Sequence, residues 1–93
     1  MGLVAFLGSV DHHLGSLAAV LDKPALALQH YAKALRLHRQ MGARPWVALT
    51  LAEMVAVEHT LGAPEAEEHR AEASAIAEEL GLGLVTETLA TQS

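Results

Sequence analysis

The chain contains no cysteine, which excludes disulfides, thiolate metal sites and cysteine nucleophiles. Aromatic residues are almost as scarce, with one Trp, one Tyr and one Phe among 93 residues. Ala, Leu and Val must therefore fill any core. Ala and Leu favour helix, whereas the scarce aromatic residues would have favoured strand. No apolar run approaches the roughly 18 residues of a membrane span. Residues 1–8 are apolar but lack the basic start and the length of a secretory signal. The sequence reads as soluble and cytoplasmic, with no membrane partner. Basic residues are few, and the formal net charge of −5 speaks against nucleic acid as a direct partner. There is no Gly-rich loop with the Lys and Ser/Thr that would cradle a phosphate.

What is present is punctuation for helices. Asp22-Lys23-Pro24 interrupts one helical pattern and opens the next, since Pro suits the first helical turn. Gly42 closes that helix and Arg44-Pro45 opens another; Gly62 and Pro64 repeat the device, and Gly81 and Gly83 stop the last. These marks predict helices near 9–21, 24–41, 45–61 and 64–80, with a short fifth near 84–90. Connections this short force neighbours to pack antiparallel. The expected fold is all-α: two antiparallel helix-turn-helix hairpins plus a short C-terminal helix. The expected division is an apolar extension over 1–8, a repeat domain over 9–82 and a helix with tail over 83–93. The third helix is apolar on nearly every side and should be central. The core is expected from Leu14, Leu17, Ala18, Leu21, Ala27, Tyr31, Ala34, Leu35, Val47, Met54, Val55, Ile76, Ala77 and Leu80.

Residues able to carry chemistry are numerous but scattered. The six His residues include no pair four apart on a helix, the spacing that grips one metal ion, so polar surface or interface positions are the default for them. Six Glu crowd 65–79, on what reads as a solvated face without a pocket for acid–base work. Ser16 and Ser74 fall inside helices, and no Ser stands beside a His–acid relay in the sequence. Five of the six basic residues lie between 23 and 44. Opposite charges in the two halves suit either two solvated faces or complementarity between stacked units or with a partner. Trp46 reads first as an anchor between hairpins and second as a partner contact. No catalytic residue, cofactor or metal is expected. The candidate partner contacts are Trp46, Arg36 and Arg39.

The two units recur at a spacing near 40 residues, within the range of helical solenoids. The first resembles a tetratricopeptide repeat: Leu14-Gly15 stands where that motif has its Leu-Gly pair, and Ala27, Tyr31 and Ala34 follow its small–aromatic–small pattern. Gly15 and Ala27 would let two backbones approach while Tyr31 fills the gap beside them. In the second unit Ala66 and Ala73 fit the small positions, but Arg70 replaces the aromatic. A narrower resemblance rests on Ser9-Val10-Asp11-His12-His13-Leu14-Gly15, His30-Tyr31-Ala32-Lys33-Ala34-Leu35, Met41-Gly42-Ala43-Arg44-Pro45-Trp46 and Ala75-Ile76-Ala77-Glu78-Glu79-Leu80-Gly81-Leu82. These look like the C-terminal helical repeats of large bacterial regulators that join an ATPase module to a LuxR-type DNA-binding or adenylate cyclase domain. The resemblance implies a non-catalytic protein–protein interaction module working with a protein partner or with upstream regulator domains. The alternatives are a homodimerising bundle and a small-molecule-sensing helical domain.

Overall fold

The computed structural model describes residues 10–81, which form four α-helices: α1 Val10–Val20, α2 Pro24–Met41, α3 Arg44–Leu61 and α4 Ala66–Leu80. No strand occurs among the described residues. The expected fifth helix and the apolar segment 1–8 lie outside them. Each helix packs on the next in sequence, and α1 also reaches α3, so the short turns produce the anticipated hairpins.

The first three helices end in one way. Asp22, Gly42 and Gly62 have φ of 60°, 68° and 69°. Beyond each, an N–H turns back on the helix: Lys23 to Ala18 O at 2.9 Å, Ala43 to His38 O at 2.9 Å, Ala63 to Glu58 O at 2.8 Å. This closure pairs carbonyls that a helix end leaves without partners. A proline then stops any continuation and suits the start of the next helix. Asp22 holds the left-handed position that glycine fills in the other two turns. The last helix starts at Ala66, two residues later than the sequence suggests, because Pro64 and Glu65 form a turn closed by Ala66 N–H to Ala63 O at 3.3 Å.

The third helix is central, as its all-round apolar pattern predicts. Ala48, Leu51 and Ala52 on α3 are fully buried, and so are Val47, Met54, Val55 and Val57 within a few per cent. Burying a side chain such as Leu51 stabilises by about 1.5–3 kcal/mol. The rest of the core is Ala18, Ala27, Tyr31, Ala34, Leu35, Ala66, Ala73, Ile76 and Ala77.

Four expected core residues are not in it. Leu14, Leu17, Leu21 and Leu80 keep 39%, 54%, 57% and 40% of their surface in solvent. For α1 the reason is steric. The helix is apolar on two faces, and the small one, Gly15 and Ala18, turns inward. A Cβ added at Gly15 would stand 2.7 Å from Cδ1 and Cε1 of Tyr31, so the ring occupies the space that glycine leaves. That close approach fixes the rotation of α1 and sends its leucines outward.

Candidate functional site

The first three helices bring together a cluster of polar side chains that the sequence scatters over 42 positions, from His12 to Glu53. His12 on α1 and His38 on α2 are buried, as is Thr50 on α3. Nε2 of His12 lies 2.9 Å from Oε2 of Glu53, and its Nδ1 lies 2.8 Å from Oγ1 of Thr50. The same Oγ1 is 3.3 Å from Nδ1 of His38. On the other carboxylate oxygen of Glu53, Ser16 donates at 2.6 Å and the Tyr31 hydroxyl at 3.0 Å. Trp46 lies over the cluster, half-buried, its ring 5.4 Å from that of His12, 5.7 Å from His38 and 6.4 Å from His13.

Proton positions follow from donor and acceptor capacity. An ionised carboxylate only accepts, so Nε2 of His12 carries a hydrogen. In the tautomer whose Nδ1 is bare, His12 accepts there from the Thr50 hydroxyl. Having given its one proton there, Thr50 accepts from Nδ1–H of His38. The chain is directed from His38 through Thr50 and His12 to Glu53.

Burial opposes the charge of Glu53, but the donors from His12, Ser16 and Tyr31 outweigh it and hold the carboxyl below the usual carboxylate range. Burial, and then His12 beside it, push His38 below the usual imidazole value. Burial also raises the Tyr31 hydroxyl to about 12, the Glu53 charge adding to the effect against the Ser16 hydrogen bond.

This geometry ties helices together. A nucleophile relay needs the hydroxyl on the imidazole and the acid behind it. Thr50, His12 and Glu53 stand in that order, but the Thr50 hydroxyl is fully buried, away from any substrate; at Ser16 the carboxylate stands between hydroxyl and imidazole and takes the serine proton. Among the described residues, no three of His, Asp and Glu converge to hold a metal ion.

Further ties link other pairs of helices. His30 reaches Asp11 at 3.0 Å between α1 and α2. His69 on α4 donates to both oxygens of the buried Glu58 at 2.9 and 2.8 Å. Arg39 grips Glu72 with two bonds of 2.6 and 2.9 Å, and Arg44 grips Glu79 with 2.6 and 2.8 Å. Both pairs join the basic half of the chain to its acidic half. They flank an open depression of about 480 Å³ floored by Val47, Ala75 and Ile76.

The motif residues separate by place. Gly15, Ala27, Tyr31 and Ala34 are buried in the first hairpin, and Ala66 and Ala73 in the second. Leu14 is exposed, which corrects its expected packing role. Of the candidate contacts, Arg36 is exposed, Arg39 is engaged with Glu72, and Trp46 is half-buried on the imidazoles. Thr50 and Glu53 escaped the sequence reading, and His12 and His38, expected by default at polar surface or interface positions, are buried. The available signal was Thr50 and Glu53 interrupting the otherwise apolar stretch 45–57 three residues apart.

Two surfaces of α1 complete the picture. Its outer face carries Val10, Leu14 and Leu17, continued by Leu21 in the turn just beyond, spaced four, three and four, all exposed. Its inner flank forms a groove with α3. Two contiguous depressions there, of about 240 and 250 Å³, share Ala19, Ala56 and Val57. No described helix is long and apolar enough to cross a membrane. No family profile, curated protein or solved structure matches the chain.

Proposed function

We propose that the chain is a non-catalytic protein–protein interaction module: a tetratricopeptide-like pair of hairpins that stacks on further helical structure in a bacterial signalling or transcription regulator. One observation carries this reading. The turn residues Asp22 and Gly62 place α1 in register with α3 at an offset of 40 residues. At that offset Val10, Leu14 and Leu17 correspond to Thr50, Met54 and Val57. On α3 these positions are buried, Thr50 beneath His12 and His38 of the preceding hairpin. On α1 they are exposed and apolar. The chain therefore presents outward the face that, one repeat later, it covers with a hairpin. Solenoids build their cores by such stacking. An apolar face that no described residue covers is also what distinguishes an interaction surface from ordinary scattered leucines.

The same stripe supports a second reading. Its spacing of four, three and four reads alike in both directions, so an antiparallel second copy would set Leu14 against Leu17 and Val10 against Leu21. That is the homodimer, with the face satisfied by self-association.

Light scattering coupled to gel filtration over a hundredfold concentration range separates the two. It is run on the parent and on Leu17→Glu, which should unfold at nearly the parent temperature because the side chain is exposed. A dimer lost in Leu17→Glu puts the homodimer first. A monomer with a stable Leu17→Glu variant leaves the face open for a partner hairpin. A Leu17→Glu variant that unfolds as a monomer, at a much lower temperature, removes the observation on which the proposal stands.

A further inference from the structure

The groove between α1 and α3 carries chemistry of its own, distinct from the leucine face. Its walls are Ala19, Val20, Ala56 and Val57, side chains too short to close it. An acidic residue stands toward each end: Glu53 lines one depression and Asp22 the other. No Lys or Arg lines either. Glu53 is braced from within by His12, Ser16 and Tyr31 yet keeps 28% of its side-chain surface in solvent. Its inner hydrogen bonds hold it ionised and aim it, so the carboxylate needs no rearrangement to meet a ligand.

That charge decides what can lie in the groove. A neutral apolar segment would strip water from an ionised carboxylate and return nothing, which is costly. A cationic group replaces the water it displaces, and bonds from Lys or Arg to a carboxylate are the stronger, charge-assisted kind. The second carboxylate fixes the spacing. Asp22 shares its end of the groove with Thr60, seven residues along α3 from Glu53, or roughly 10 Å at the helical rise. Two residues seven apart on a helical partner span about the same distance.

We propose that this groove binds a helical protein segment bearing two basic side chains about two turns apart, one paired with Glu53 and the other with Asp22, over a strip of small residues. The proposal rests on the interaction-module reading and names the chemistry of the partner.

The test uses the full chain and three labelled, amidated 16-residue helical peptides on one Ala-rich background. They carry Lys, Gln or Glu at two positions seven apart, and binding is read by fluorescence anisotropy at low and at physiological salt. The Lys peptide should bind at least tenfold tighter than the Gln peptide and tighter still than the Glu peptide. Its advantage should shrink with salt, fall severalfold in Asp22→Asn and vanish in Glu53→Gln. Asp22→Asn changes an exposed turn residue to one that tolerates the same backbone, so it remains informative even if Glu53→Gln perturbs the fold. Equal binding of the three peptides overturns the cationic assignment; if Ala19→Arg then blocks them all, the groove as a docking surface survives without it. A Lys advantage insensitive to both carboxylate variants overturns the site. Failure of all three peptides to bind also overturns it, and leaves the stacking of the outer α1 face to be judged by its own experiment.

Discussion

Replacing Gly15 with alanine should destabilise the protein, although the same change in an ordinary helix interior stabilises it. Glycine inside a helix costs about 1 kcal/mol relative to alanine, and that gain is available at position 15. Against it stands the Tyr31 ring. The new Cβ would lie 2.7 Å from two ring carbons and 3.1 Å from a third, where carbon atoms pack best at about 3.5–4.0 Å. Relief requires a shift of most of an ångström. The ring cannot supply it cheaply: Tyr31 is 1% exposed, and its hydroxyl is held by Glu53 at 3.0 Å and Ser16 at 3.4 Å. Overpacking of this kind costs about 1–3 kcal/mol. The net expectation is a loss of up to about 2 kcal/mol, and each 1 kcal/mol lowers the melting temperature of a domain this size by about 4–8 °C. Urea titration followed by circular dichroism gives the free energy directly. The control is a cycle with Tyr31→Leu, in which the obstructing ring is gone and Gly15→Ala should stabilise by about 1 kcal/mol. Gly15→Ala at parental stability or above, or equal effects in the two backgrounds, would refute the account of how α1 is seated.

Acidification should weaken the fold in two stages. His38 is depressed below its ordinary value, so between its folded pKa and about 6.5 the unfolded chain binds more protons; stability is whole above that window and declines as pH falls through it. Glu53 is depressed in the same direction and adds a second decline below the ordinary carboxylate range, near 4.5. Urea midpoints measured from pH 8 to 3 should show both, and the first should disappear in His38→Asn if that variant folds. Thr50→Val should cost about 1–3 kcal/mol, since it leaves two buried imidazole nitrogens without the hydroxyl they share, whereas Thr50→Ser should cost much less. Asp22→Gly should stabilise by about 0.5–1 kcal/mol, because φ at this turn is 60° and glycine takes it without strain; an unchanged or lower melting temperature would count against this. The Arg39–Glu72 pair is bidentate but partly exposed, so a double-mutant cycle should return no more than about 0.2–1 kcal/mol, falling with salt.

The elements were legible in the sequence because their signals are local. Proline, glycine and the repeat spacing fix where helices stop, and an apolar circumference marks α3 as central. What the sequence hides is rotation. On α1 the leucine stripe is the stronger apolar signal, yet Gly15 and Ala18 go inside, because seating depends on a ring sixteen residues away. The polar cluster is hidden for a related reason. Its members share a helix face only as His12 with Ser16 and Thr50 with Glu53, and only the meeting of three helices joins His12, His38 and Thr50. Glu58 belongs with them: a carboxylate among apolar neighbours on α3 reads as a flaw until His69 arrives from α4.

The buried polar ties also answer a problem set by the composition. A core built largely of Ala, Leu and Val offers many nearly equivalent packings, since alanine faces slide and leucines refill one another's spaces. Hydrogen bonds do not tolerate such sliding. A turn of α1 that moved His12 away from Glu53 would strand an ionised carboxylate, and a shift of α3 by one residue would take Thr50 from both imidazoles at once. The penalty for an unpaired buried group exceeds what any single pair contributes, so the ties act mainly by making wrong registers expensive. In this protein apolar burial supplies the drive to fold, while Gly15 against Tyr31 and the path from His38 to Glu53 select the arrangement. The selection holds the leucine stripe of α1 outward and the Glu53 carboxylate toward the groove, and those are the two surfaces through which the module is proposed to act.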